Sequence, residues 1–264
     1  SLDDRAVLFT ASGGGGGTAT IYSASARGGG ALVRVVSSPG NPVIHDVAPG
    51  GRTAMTLEER RIGVMVRGSG QAEEHDLTPL DLASDPRVSR DGRFAVFTDG
   101  RGGDDYAVVL RTLDGSPPVR LGDGRVNDLS ADGRWVTAAL LATGRCVAYP
   151  VGAGTTVQIE MGPLEACQSA AWFPDGKSLL IVGNEPGKPA RLYRAAFPGG
   201  TPEALLPEGL ISARISANGK RLLVQDASGA GQVVEIGGAA SPVRGLRRGD
   251  ALIGWPPGEE TAIA

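Results

Sequence analysis

Asp46, Arg87 and Asp128 stand at a constant interval of 41 residues, and Arg214 follows Asp128 after two intervals of 43. Side chains of opposite sign that return so evenly can do one of two things. They can pair with one another and pin the edges of the elements that carry them, because buried charges are normally paired. Alternatively they line a shared mouth and recognise a polar small molecule or a peptide terminus, with His45 and Asn127, each one residue upstream, adding a ring nitrogen and an amide. His45, Asp46, Arg87, Asn127, Asp128 and Arg214 are therefore the expected ligand-binding set, and the elements that bear them must be equivalent members of a repeat.

Other chemistry finds little support. There are only two histidines, His45 and His75, and neither has a Gly-x-Ser-x-Gly nucleophile motif beside it, so no catalytic residues are assigned. Glu73-Glu74-His75-Asp76 offers metal-ligand atoms, but neighbours on a strand point to opposite faces, which favours a solvated strand edge. The loop from Asp99 to Asp105 could fold carboxylates around a calcium ion, yet it lacks the alternating carboxylates and terminal Glu of a calcium loop and holds Arg101. Gly13 to Gly17 is followed by Thr18 without the Lys of a phosphate loop, and reads as a flexible surface loop. Arg248-Gly249-Asp250 reads as a polar turn. No metal and no cofactor are implied. Cys146 and Cys167 lack metal spacing and are expected to be buried thiols, with a disulfide as the alternative.

The elements that position these residues are hairpins. Trp172-Phe173-Pro174-Asp175-Gly176-Lys177 joins two short apolar runs through a turn in which Pro presets φ, Asp folds back onto nearby amides and Gly accepts positive φ. The same hairpin recurs at Ser89-Arg90-Asp91-Gly92-Arg93, Ser130-Ala131-Asp132-Gly133-Arg134 and Ser216-Ala217-Asn218-Gly219-Lys220, and degraded copies sit at positions 3, 50 and 257. Each period of about 40 to 45 residues holds four β candidates a to d, the composition of one propeller blade. The expected fold is all-β: one six-bladed β-propeller of four-stranded antiparallel blades over 1–264, closed by a C-terminal strand at 250–255, with a truncated seventh blade from Thr261 as the alternative. The first blade lacks its own strand a. Trp135, Trp172 and Trp255 fall beside the turns and are expected between blades rather than in a sugar-stacking row. Strand a is innermost, which puts the six polar residues near the channel, on the face of the longer loops 37–42 and 78–85.

A net charge of −3 gives no pull towards nucleic acid or an anionic membrane. The 41 glycines and 18 prolines are spread between apolar runs as turn punctuation, so the chain is not a disordered polar tract. No apolar run approaches the ~20 residues of a membrane helix, which excludes direct membrane insertion. The chain opens at Ser1-Leu2-Asp3-Asp4-Arg5, already inside a hairpin turn, and reads as part of a longer protein.

The Ser/Phe-x-Asp-Gly-Arg/Lys hairpins resemble the WD40-like repeats of TolB-type propellers over nearly the whole chain. His45-Asp46-Val47-Ala48-Pro49-Gly50-Gly51-Arg52, Leu113-Asp114-Gly115-Ser116-Pro117-Pro118-Val119-Arg120-Leu121-Gly122 and Trp172-Phe173-Pro174-Asp175-Gly176 are similar to the propeller that follows the catalytic domain in a group of bacterial serine/threonine protein kinases. The resemblance implies a sensor or interaction domain, extracytoplasmic and borne by a membrane-anchored parent, that binds a protein, peptide or small molecule at the channel mouth. The kinase motifs themselves are absent from the chain. Two alternatives stand beside this reading. A propeller enzyme, such as a lyase or a peptidase-associated propeller, would bring His45, Asp46 and Arg87 together around substrate. A TolB-like periplasmic scaffold would show an exposed apolar patch.

Overall fold

The computed structural model describes residues 6–12, 19–37, 41–48, 52–58, 61–68, 73–78, 82–100, 106–243, 250 and 255. Its elements are antiparallel strands, with no helix among the described residues. Contacts divide the chain into two compact units, residues 1–84 with 98–107 and residues 85–97 with 108–264.

In the first unit β1 (Ala6–Ser12), β2 (Ala19–Ser25) and β3 (Val33–Ser37) form a three-stranded sheet, the expected blade without its strand a. The next blade departs from expectation. Among the described residues β4 (Asn41–Val47) pairs with β5 (Thr53–Glu58) and β6 (Met65–Val66) with β7 (His75–Asp76), so two ladders stand in place of one four-stranded sheet. The physical reason is the absence of a buried stripe: every residue of β5 is exposed, and Gly63 and Gly68 bracket a β6 of two residues. Residues 73–76 are all exposed; Asp76 is held by the Arg61 guanidinium at 2.7 Å and accepts the Thr78 N–H at 2.8 Å, as befits a solvated edge.

Four four-stranded sheets follow: β8 (Ala83–Val88) to β11 (Val119–Asp123) through β9 (Phe94–Asp99) and β10 (Ala107–Thr112); β12 (Arg125–Leu129) to β15 (Val157–Gln158) through β13 (Trp135–Leu140) and β14 (Arg145–Pro150); β16 (Ala166–Trp172) to β19 (Glu203–Ala204) through β17 (Ser178–Asn184) and β18 (Arg191–Ala196); and β20 (Leu210–Ile215) to β23 (Ala240–Pro242) through β21 (Arg221–Asp226) and β22 (Gly231–Glu235). Within each, the strands lie side by side in chain order.

The middle strands read as unbroken apolar runs because both of their faces are buried. On β17, Leu179 and Ile181 face a core shared with Ala139, Cys146, Ala170 and Trp172, while Leu180 and Val182 face another shared with Ala213, Leu222 and Val224. A third core joins Phe94, Val96 and Val108 to Val136, Ala138 and Val147. Trp172 and Trp135 both meet the Phe197 ring edge-on, at 4.7 and 5.3 Å, inside the first of these cores, as expected for residues between blades. That core also corrects the reading of the cysteines. Cys146 on β14 and Cys167 on β16 form a disulfide, because adjacent sheets bring their Cα atoms to 5.7 Å, within bridging range.

The recurrent turns share one hydrogen-bond design. Ser89 Oγ donates to Asp91 Oδ1 at 2.7 Å and accepts the Phe94 N–H at 3.1 Å, and Asp91 Oδ1 accepts the Arg93 N–H at 3.1 Å. Ser130 with Asp132 and Ser216 with Asn218 repeat it. In the turn after β16, Phe173 replaces the serine and the hydroxyl comes from Ser178, which donates to Asp175 Oδ2 at 3.1 Å. Gly92, Gly133, Gly176 and Gly219 have φ between 64° and 71°, the positive values that the turn reading requires.

Candidate binding site on the inner strands

The first strand of each four-stranded sheet is an edge strand, so its outward N–H and C=O groups need partners from outside the ladder. Asn127 and Asp128 on β12 supply them to β16. Asn127 Oδ1 accepts the Ala170 N–H at 3.1 Å, and Asp128 Oδ2 accepts the Trp172 N–H at 2.8 Å. Consecutive strand residues would ordinarily point apart. A register shift between Val126 and Asp128 in the β12–β13 ladder breaks that alternation at Asn127 and lets both side chains serve the same neighbour. Thr137 Oγ1 reinforces the junction by donating to the Ala170 carbonyl at 2.6 Å.

Arg87 on β8 completes the cluster from the other side, its Nε lying 3.8 Å from Asp128 Oδ1. That is an ion pair, but too long for a hydrogen bond. Asp128 Oδ1 also accepts the Leu129 N–H at 2.9 Å. Burial pushes the Asp128 carboxyl above its usual range, against the opposing pull of the Trp172 N–H, Arg87, the Leu129 N–H and Arg214. Arg214 on β20 is lowered by burial first and then by the like charge of Arg87, with Asp128 and Asp85 acting in the opposite sense. Arg214 Nη1 donates to the Ala213 carbonyl at 3.0 Å, and Arg87 Nη1 to the Pro86 carbonyl at 2.9 Å.

Arg87, Asn127, Asp128 and Arg214 are thus brought into one electrostatic cluster within the second unit. His45 and Asp46 lie in the first unit, both exposed. His45 Nε2 is 2.9 Å from Thr56 Oγ1, Asp46 Oδ1 accepts the Val47 N–H at 2.8 Å, and both residues line a cavity of about 520 Å³ with Val7 and Ile44. They share one feature with the cluster: His45 sits at a register shift between Ile44 and Asp46, as Asn127 does in β12. The calcium and phosphate-loop readings fall largely on residues 101–105 and 13–18, outside the described residues, as does most of the closing strand at 251–254. Among the described residues no three His, Cys, Asp or Glu side chains are grouped to hold a metal ion.

Two features escaped sequence reasoning. Asp85 adopts φ 54° and takes Arg125 through both carboxylate oxygens, at 2.8 and 3.0 Å; the following Pro86 biases this position towards extended backbone and so hid it, although Asp tolerates left-handed backbone more readily than most residues. A cavity of about 190 Å³ is walled by Val88, Leu129, Trp172 and Ile215 together with Arg90 and Asp128. It lies at the ends of the inner strands that carry the repeated turns. Turn residues Ser130, Pro174 and Ser216 form its rim, because equivalent turns from successive sheets meet there.

No family model matches the sequence, and no curated protein matches it. Solved structures do. A protein assigned as TolB from Agrobacterium tumefaciens superposes with a TM-score of 0.58 at 14% identity, covering 80% of this chain and 83% of that one. TolB from Acinetobacter baumannii gives 0.58 at 17% identity, covering 87% of this chain and 60% of its own length. The fold is accordingly an all-β propeller of four-stranded antiparallel blades.

Proposed function

We propose that this chain is a non-catalytic binding propeller that captures a protein, peptide or small-molecule ligand at the inner strand ends. The observation that carries the reading is the convergence of Arg87, Asn127, Asp128 and Arg214 from three inner strands beside an apolar-walled cavity. The cluster contains no nucleophile in contact with a base, so it supports recognition and offers no catalytic pair. His45 and Asp46, on the first unit, are proposed as ligand-binding residues on the evenness of their spacing.

The ring is proposed to hold six blades over 1–264. We further propose that it is the sensory or interaction domain of a bacterial receptor-like serine/threonine kinase, working on the extracytoplasmic side. The kinase assignment is supported by the resemblance of segments 45–52, 113–122 and 172–176. The compartment is supported by the Cys146–Cys167 disulfide, because such bonds persist in oxidising surroundings. No helix of the described residues is long and apolar enough to cross a membrane. The test is a ligand screen on the intact chain followed by Arg87→Ala and Arg214→Ala. Weakened binding with a nearly unchanged melting temperature is expected. Large stability losses with unchanged affinity would show that the arginines are only structural ion pairs, and the site would be withdrawn.

A further inference from the structure

We infer that the group this site recognises is a single carboxylate, such as the C-terminus of a peptide, held between the guanidinium groups of Arg87 and Arg214. The inference rests on the binding reading above and specifies its ligand.

The hydrogen-bond inventory of the cluster is lopsided. Its acceptors are engaged: Asn127 Oδ1 holds the Ala170 N–H, and the two Asp128 oxygens hold the Leu129 and Trp172 N–H groups. Among the described residues its donors are largely unspent. Each guanidinium has five N–H groups in a planar fork, and each of these two gives one of them to a carbonyl of its own strand. Arg125 shows the contrast, because Asp85 satisfies its fork bidentately. Among the described residues no carboxylate comes within ion-pair distance of Arg214, and Arg87 reaches Asp128 only at 3.8 Å.

Charge points the same way. Arg87 and Arg214 face Asp128, while Asp85, which also draws on Arg214, is taken up bidentately by Arg125, and Arg90 stands on the cavity wall, so positive charge is in surplus where Arg87 and Arg214 repel each other. A carboxylate carries one negative charge and presents two coplanar oxygens that match the guanidinium fork. A phosphate monoester would bring about −1.5 to −2 and would want extra donors of the kind a helix N-terminus supplies. The neighbouring walls, Val88, Leu129, Trp172 and Ile215, suit the short apolar chain that bears such a carboxylate.

The experiment follows the side-chain Nε–Hε signals of Arg87 and Arg214 by NMR, assigned with Arg87→Lys and Arg214→Lys, while the intact chain is titrated with acetyl-Ala-Ala. Saturable shifts of both signals are expected. The C-terminal amide of the same peptide should bind at least about tenfold more weakly, as loss of a charge-assisted pair implies, and this comparison needs no variant to fold. Arg214→Gln should reproduce that loss with a melting temperature close to wild type. Equal response to acid and amide, or stronger response to inorganic phosphate or to oligolysine than to the acid, would overturn the carboxylate assignment. Alanine variants that still weaken another ligand would leave the broader binding reading standing.

Discussion

Asn218 stands where three other turns carry Asp91, Asp132 and Asp175, and its amide oxygen makes the same bonds to a serine hydroxyl and a backbone N–H. The geometry survives without the charge, so the difference appears only in pH dependence. The Ser89 hydroxyl and Arg93 N–H hold Asp91 down to about 2, and the Thr112 hydroxyl and Ser116 N–H do the same for Asp114, also about 2. Ser130 lowers Asp132 as well; at Asp175 burial raises the carboxyl but is outweighed by the Lys177 N–H and by Ser178. A carboxyl depressed on folding contributes stability that is full above its unfolded value of about 3.9 and is lost as pH falls through the folded one. Urea midpoints should therefore decline between about pH 4 and pH 2, and Asp91→Asn should flatten that decline while changing the neutral-pH midpoint little. Asp128 has the opposite sign, because its raised carboxyl is best tolerated when protonated and its cost sets in as pH rises. Gly176 supplies a second residue-scale test. Its φ of 64° is the left-handed region, and a Cβ there would meet no atom within 4 Å, so only backbone strain opposes substitution. Gly176→Val should cost more than the ~1 kcal/mol of a compatible glycine replacement, read as a lowered melting temperature.

Elements were legible in proportion to their punctuation. The run Ser178 to Val182 and the turn at Asp175 appear where the sequence put them, because the apolar pattern and the Pro-Asp-Gly turn point to the same hairpin. The blade beginning at β4 was less legible, since its repeat had lost the Asp of the turn and its strand β5 buries nothing. The candidate site was half legible. Even spacing picked out Arg87, Asn127, Asp128 and Arg214, but not the register shift that turns Asn127 and Asp128 towards one strand, because a bulge leaves no fixed mark in composition. The disulfide stood only as the alternative for a related reason: Cys146 and Cys167 sit on different sheets, and only the packing of one sheet on the next shows that they meet. Their bond closes a loop with a sequence separation of 21 residues. The loop-entropy argument gives it about 3 kcal/mol, so Cys146→Ala with Cys167→Ala should lower the urea stability by roughly that amount, and reductant should no longer affect the double variant.

At the scale of the whole molecule, the proposed closure by the C-terminal strand can be tested through the contacts of its described residues. Trp255 Nε1 donates to the Arg214 carbonyl at 3.3 Å, Arg221 lies 5.0 Å over its ring, and Gln225 Nε2 donates to the Asp250 carbonyl at 3.4 Å. Removing residues 250–264 takes these contacts from β20 and β21 and should expose strand edges to intermolecular pairing. An aggregating product on size-exclusion chromatography is the expected outcome, and a monomer of wild-type stability would refute closure by this strand. The disulfide has a mechanical consequence as well. Sheets joined by side-chain packing alone can peel from one another under load, but β14 and β16 share a covalent strut. A single molecule pulled by its ends should lengthen by less in oxidising buffer than in reductant. The missing length is that of the 21-residue loop, about 70 Å at ~3.3 to 3.6 Å per residue, and it should be released in one step when reductant is added under tension.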